Sequence, residues 1–191
     1  MKRVIVLLFD GYSDWEISFL TPELQKNRDV TLQYVSIHGD SVTSMGGLLV
    51  KGLFPFSELN METVSMLILP GGPIWESGVD EIILNLIRRV LDQGGRVAAI
   101  CGATIGLAQI GLLNDINHTS NALAYLKQSV PCYNGDKLYQ ELLSVSSDRI
   151  ITASGIAPIE FAKQIFQSLD IMDEEAREKW YQLFKYGVWQ A

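Results

Sequence analysis

The stretch GGRVAAICGATIGLAQIGLL, residues 94–113, changes its pattern at a single cysteine. The run RVAAI before Cys101 is short, mainly apolar and without alternation, which is typical of a strand buried on both faces. The residues after Cys101 are small and apolar over a longer span, which favours a buried helix. The segment is therefore predicted to be a strand that turns directly into a helix, with Cys101 on the turn.

Strand and helix patterns alternate along the chain, which indicates a single α/β domain over residues 1–191. Four further apolar runs are predicted as strands, at 3–9, 31–37, 64–70 and 149–154. Helical patterns are found at 14–27, 77–93, 103–112, 121–128, 157–168 and 173–186. The Gly-rich segment 40–56 is predicted as a hairpin at a sheet edge. We expect a doubly wound, mostly parallel sheet between two helical layers, with ligands beyond the carboxyl ends of its strands.

Composition and charge exclude several classes of function. Hydrophobic residues make up 48% of the chain, and its formal net charge is -7. Such a charge, without a basic cluster, is not typical of a protein that binds nucleic acid through its phosphates. No apolar run has the length of a membrane span, and the first residues turn acidic too early for a signal peptide. We expect a globular protein of the reducing cytoplasm, without a disulfide or a zinc site.

The turn at Cys101 has the features of a nucleophile elbow. The next two residues, Gly102 and Ala103, are small, as so tight a turn requires. Amides at a helix N-terminus favour a thiolate, so Cys101 is predicted to be a nucleophile near neutral pH. The alternative is a small hydrophobic residue at the end of a core strand. Gly72, in the turn LPGG of residues 69–72, and Gly102 are candidates for the amides of an oxyanion hole.

Glu16 and His118 are the candidate partners of the thiol. Glu16 follows the first strand, where its carboxyl group could lean over Cys101 and move a proton. It also has capping-box spacing from Ser13, so a helix cap and a site residue are both open interpretations. His118 could be the base or the orienting group for the thiol. Alternatively, it is a loop histidine before a helix capped at position 120 or 121.

Three other features are interpreted as structural. His38 follows the second predicted strand and is interpreted as a surface turn residue. Cys132 lies in a turn without a helix N-terminus and provides an internal comparison for Cys101. Ser77 and Asp80 have the spacing of a capping box for the helix predicted at 77–93.

Together these motifs resemble the ThiJ/PfpI family, protein deglycase-like members of the class I glutamine amidotransferase-like superfamily, whose fold is flavodoxin-like. The resemblance is carried by DGYSDWE (10–16), LPGG (69–72), AAICGATIGLAQIGLL (98–113) and ITASGIAPIEFA (151–162). It implies that Cys101 is the reactive cysteine and Glu16 its carboxyl neighbour. It also implies that Gly72 and Gly102 supply the oxyanion-hole amides, and that the protein is a homodimer.

The resemblance implies two functions that use the same cysteine. The first is a hydrolase or glyoxalase-like enzyme that acts on a small carbonyl or amide compound without a metal or an organic cofactor. The second is a non-enzymatic oxidation sensor or stress-response module. Members that resemble peptidases carry a histidine directly after the cysteine, where this chain has Gly102. A nucleotide-binding protein is disfavoured because the sequence contains neither G-x-G-x-x-G nor a Walker A loop.

Overall fold

The computed structural model describes residues 1–189. The strands are β1 (Lys2–Leu7), β2 (Val30–Ser36), β3 (Val42–Thr43), β4 (Leu49–Val50), β5 (Phe54–Pro55), β6 (Val64–Leu69), β7 (Arg96–Ile100), β8 (Ser144–Ser147) and β9 (Ile150–Ala153). Seven of them form one sheet in the order β5-β2-β1-β6-β7-β9-β8, while β3 and β4 form a separate antiparallel hairpin. The segment 40–56, predicted as a hairpin at a sheet edge, thus contains both this hairpin and the edge strand β5.

Six α-helices lie within the described part of the chain: α1 (Thr21–Lys26), α2 (Glu81–Asp92), α3 (Ala103–Gln109), α4 (Leu123–Ser129), α5 (Pro158–Ser168) and α6 (Glu174–Tyr186). Short 3-10 helices occupy Asp14–Glu16, Phe56–Glu58, Met61–Thr63, Pro73–Trp75 and Asp136–Leu138. None of the helices in residues 1–189 combines the length and the apolar character that a membrane crossing requires.

The order of the strands brings three loops together at one end of the sheet. β1 pairs in parallel with β2 on one side and with β6 on the other. The chain first runs outward from β1 to β2 and then continues on the far side of β1 with β6, β7 and β9. Such a reversal of strand order opens a crevice at the carboxyl ends of the strands. The loops after β1, β6 and β7 therefore converge at this crevice.

Two helical layers cover the sheet. Helices α2 and α3 contact each other and pack against β7, while α5 contacts α6 and packs against β7, β8 and β9. Phe19, just before α1, makes an edge-to-face contact with Phe184 of α6, which joins α1 to the second layer. β7 is thus covered on both faces, and its residues 97–100 are fully buried. The expected doubly wound, mostly parallel fold is confirmed.

Several predicted helices begin later than their sequence pattern indicated. The segment predicted as one helix at 14–27 is divided into a 3-10 turn at Asp14–Glu16 and α1, because Pro22 is tolerated only in the first turn of a helix. The helix predicted at 77–93 begins at Glu81, with Asp80 as its cap. The hydroxyl of Ser77 instead donates to the carbonyl of Pro73, so the predicted capping box does not form.

β8 was not predicted from the sequence. It is a four-residue edge strand, SVSS, that pairs antiparallel with β9 and buries only Val145. A polar edge strand of this kind has neither an apolar run nor a long alternation, so its sequence carries no strand pattern.

Candidate active site

Cys101 occupies a strained turn between β7 and α3. Its φ is +59°, in the left-handed region that residues other than glycine seldom adopt. The turn is held by hydrogen bonds from the Cys101 N–H to the Ala153 carbonyl (2.9 Å) and from the Thr104 hydroxyl to the Cys101 carbonyl (2.7 Å). Strain of this kind costs about 1–3 kcal/mol and is concentrated at functional sites. The predicted nucleophile-elbow geometry is therefore present at Cys101.

Trp75 supports this turn from below. Its ring is fully buried, its indole N–H donates to the Pro70 carbonyl (2.8 Å), and it meets Phe9 edge to face. The first turns of α3 pack directly on the ring. A Cβ added at Gly106 would lie 2.7 Å from Cζ3 of Trp75, and one added at Gly102 would lie 3.3 Å from its Cβ. Glycine at both positions lets α3 pack closely on the indole, and this contact positions the turn at Cys101 relative to Trp75.

Glu16 lies beside the thiol, in the 3-10 turn that follows β1. Its side chain is fully buried, and Oε2 accepts a hydrogen bond of 2.6 Å from the N–H of Gly71. A Cβ added at Gly155 would lie 2.8 Å from Sγ of Cys101 and 3.2 Å from Oε1 of Glu16, so both groups border the same small space. Ser13 makes no side-chain cap. Of the two open interpretations of Glu16, the structure therefore supports the site residue.

Burial raises the pKa of Glu16 to about 7, although the hydrogen bond from Gly71 opposes the change. Oε1 of Glu16 is buried and accepts from no backbone N–H within residues 1–189. A carboxyl group in this state exchanges its proton near neutral pH, which is the property required of a general acid or base.

Burial and the neighbouring Glu16 charge raise the pKa of the Cys101 thiol to about 11. The N–H of Gly102 and the amide of Asn121 act in the opposite direction but do not outweigh them. α3 has only seven residues, so its N-terminus is a weak source of positive potential. Burial and the Glu16 charge thus favour the protonated thiol in the resting site, in contrast to the predicted thiolate near neutral pH.

The two glycines predicted for the oxyanion hole differ in their surroundings. Gly102 follows the cysteine directly, and its N–H lowers the pKa of the thiol. Gly72 packs against Phe9 and the carbonyl of Gly11, and its own N–H bonds to no other group in residues 1–189. Its neighbour Gly71 is the residue that packs against the Cys101 side chain.

His118 is not brought to the thiol. Its Nδ1 lies 2.8 Å from the carbonyl of Ile116, and its Nε2 lies 2.6 Å from the hydroxyl of Tyr133. A carbonyl can only accept, so Nδ1 carries the proton and Nε2 accepts from Tyr133. Burial lowers the pKa of His118 and keeps the ring neutral. Both ring nitrogens are thus occupied, contrary to the predicted role as base or orienting group.

Asn121, rather than the predicted His118, lies next to Sγ of Cys101. Its Nδ2 donates to Sγ of Cys101 (3.3 Å), and its Oδ1 accepts from the N–H of Gly155 (2.9 Å). The next helix begins at Leu123 without a side-chain cap, so the predicted capping role for position 120 or 121 is not observed. Tyr125, one turn into that helix, donates to the carboxylate of Glu76 at the rim of the site.

A model of the DJ-1/PfpI family matches residues 2–168. The chain belongs to the DJ-1/PfpI family. The uncharacterized protease YoaZ of Bacillus subtilis is 36% identical over 191 residues, which cover 96% of this chain and 91% of YoaZ. The thiJ/pfpI family protein from Bacillus anthracis has a TM-score of 0.91 and 37% identity, covering 98% of this chain and 92% of its own. A DJ-1 superfamily protein from Agrobacterium tumefaciens has a TM-score of 0.89 and 34% identity over 98% and 99% of the two chains.

Two residues of this DJ-1/PfpI site were not assigned to it from the sequence. Asn121 was considered only as a helix cap, and Gly155 was not singled out at all. Their contacts depend on how the loop after His118 returns across the strand ends, which no local pattern specifies. Within the described residues, no three His, Cys, Asp or Glu side chains converge as a metal site would require.

Proposed function

We propose that this member of the DJ-1/PfpI family is a cysteine-dependent enzyme that acts on a small carbonyl or amide compound, as a hydrolase or a glyoxalase-like enzyme. One observation carries the proposal: the Cys101 thiol stands on a strained turn beside a buried carboxyl group whose pKa is about 7. A fold tolerates such strain and such a buried acid when chemistry requires them.

The first step of the proposed reaction uses the thiol and Glu16 as a pair. As Sγ forms a bond to the carbonyl carbon, the thiol proton passes to the ionised carboxylate of Glu16. The π electrons of the carbonyl move to its oxygen, where the amides of Gly102 and Gly72 are proposed to stabilise the negative charge. With an aldehyde, the proton held by Glu16 then goes to that oxygen, which gives a hemithioacetal. With an amide, the oxygen re-forms the carbonyl as the C–N bond breaks, and the proton goes to the leaving nitrogen, which gives a thioester.

The surroundings of the thiol argue for a small substrate and against a peptidase, despite the name of YoaZ. Both ring nitrogens of His118 are bonded elsewhere, so the site lacks the Cys/His pair expected of a peptidase. A side chain at position 102 would begin 3.3 Å from Trp75 and 3.4 Å from the Tyr125 hydroxyl. The histidine found in peptidase-like members would therefore press on Trp75 and Tyr125 unless these side chains shift.

An activity panel tests this proposal. Dicarbonyls, small amides and peptides are offered to the wild type, to Cys101→Ser and to Cys132→Ser, a control that changes an exposed thiol outside the site. We expect turnover of at least one carbonyl or amide, lost in Cys101→Ser and kept in Cys132→Ser, with no peptide cleavage. Turnover that persists in Cys101→Ser would exclude the thiol as nucleophile.

The same pair of groups also favours a second candidate, an oxidation sensor. A protonated Glu16 has a buried oxygen without a partner, and it could donate to an oxygen atom added to Sγ. Mass spectrometry after peroxide treatment separates the two candidates. In a sensor, Cys101 gains oxygen at low peroxide and no compound of the panel is turned over. In an enzyme, at least one compound is turned over and Cys101 gains no oxygen at low peroxide.

A further inference from the structure

Asn121 is the neutral polar side chain that contacts the sulfur directly. We propose that Asn121 is a catalytic residue, which donates a hydrogen bond to Sγ and stabilises the thiolate formed when Glu16 takes the proton. For that step the inference rests on the proposed function. It assigns to a neutral amide the place next to the sulfur that an imidazole occupies in a Cys/His pair.

The direction of the hydrogen bond is fixed by Gly155. The backbone N–H of Gly155 can only donate, so the atom of Asn121 that lies 2.9 Å from it must be the amide oxygen. The NH₂ group is thereby turned toward Sγ, 3.3 Å away. A rotation of the amide by half a turn would place two donors against each other at Gly155. Asn121 is therefore a hydrogen-bond donor to the sulfur.

The loop that carries Asn121 is anchored to the sheet and to α3. The N–H of Thr119 donates to the hydroxyl of Thr152 in β9 (2.9 Å), and the hydroxyls of Ser120 and Thr104 lie 2.7 Å apart. These contacts are buried and hold the loop before any substrate binds. The amide is consequently preorganised for a charge that develops on the sulfur, which is when such a donor contributes most.

Asn121 and Glu16 have different roles at the thiol. An amide nitrogen has no lone pair to accept a proton, and Oδ1 of Asn121 is already occupied by Gly155. The titratable groups near Sγ are Glu16 and Tyr125, and the pKa of Tyr125 is raised by burial and by its bond to Glu76, so its hydroxyl stays protonated. Glu16 remains as the proton acceptor, while Asn121 lowers the free energy of the resulting thiolate.

Alkylation of Cys101 by iodoacetamide as a function of pH tests this assignment. All variants are made in a Cys132→Ser background, so that Cys101 is the remaining thiol. Asn121→Asp keeps an acceptor for Gly155 but replaces the donor to sulfur with a carboxylate. Asn121→Ala removes both contacts and serves as a second variant. Asn117→Asp is the matched control, since Asn117 precedes the anchored loop and its side chain contacts Gln140.

We expect alkylation at about pH 8 to fall about 10-fold or more in Asn121→Ala, the usual effect of losing a hydrogen bond to a charged group. The fall should be larger in Asn121→Asp, with its pH profile displaced upward, and absent in Asn117→Asp. Circular dichroism confirms that each variant is folded. Wild-type rates in both Asn121 variants would overturn the inference. Alkylation requires no turnover of a substrate. Slowed alkylation in the Asn121 variants, together with no turnover of any compound by the wild type, would therefore refute the proposed function but still show that Asn121 stabilises the thiolate.

Discussion

Replacing Glu16 with glutamine tests the electrostatics of the site through the stability of the fold. Glutamine keeps the shape of the side chain and an oxygen that can accept from Gly71, but it cannot ionise. In the wild type, burial raises the pKa of Glu16 in the folded state from 4.5 to about 7. A raised pKa means that the folded state prefers the protonated form. The stability that this form contributes is complete below pH 4.5 and is lost as the pH rises through about 7.

The magnitude follows from the two pKa values. At about 1.36 kcal/mol per pKa unit, ionising the buried carboxyl group costs the folded wild type about 3 kcal/mol between about pH 4 and pH 8.5. Glu16→Gln does not incur this cost. The free energy of unfolding of the variant, relative to the wild type, should therefore rise by about 3 kcal/mol over that range.

Urea unfolding followed by circular dichroism at a series of pH values measures this difference. Glu62→Gln, a substitution of an exposed glutamate, is the matched control and should follow the wild type throughout. If the Glu16→Gln and wild-type curves remain parallel from pH 4 to pH 8.5, the buried carboxyl group does not ionise with a pKa of about 7.

Three further predictions concern the thiol, the walls of the site and the assembly. Alkylation of Cys101 should still accelerate above about pH 9, because the pKa of its thiol is raised to about 11; a plateau below pH 8 would contradict this. Gly71→Ala should slow both alkylation and turnover, since the new Cβ would lie 2.7 Å from Cβ of Cys101 and 2.9 Å from Oε2 of Glu16. Unchanged kinetics would show that the neighbouring residues shift to accommodate the methyl group. Light scattering at micromolar concentration should give twice the 21.3 kDa chain mass, and a monomeric mass would count against the homodimer.

The sequence was sufficient for the central part of the fold. The five predicted strands correspond to β1, β2, β6, β7 and β9 within two residues at each end. Of these, β1, β6, β7 and β9 are largely buried, and such strands are nearly continuous apolar runs. The elbow was also predictable, since the small residues that follow Cys101 between a buried strand and a helix are those that so tight a turn requires. The family resemblance then identified Glu16 correctly as its neighbour.

The remaining features depend on contacts between distant segments. His118 and Asn121 are three residues apart in one polar loop, and only the path of that loop decides which side chain reaches Sγ. The pKa of Cys101 could not be predicted either, because it reflects the balance between burial, the Glu16 charge and two hydrogen bonds. The N–H of Gly102, at the start of α3, lowers that pKa, but burial and the Glu16 charge outweigh it.

At Cys101 the side chain that the proposed reaction requires also strains the backbone and so lowers the stability of the fold. Glycine adopts a φ of +59° without strain, so Cys101→Gly would relax the turn by roughly 1 kcal/mol while removing the nucleophile. The strain at this turn is therefore tied to the Cys101 side chain, and a residue without a Cβ does not bear it. If the proposed function holds, the fold gives up about this much stability to keep a thiol at the end of β7.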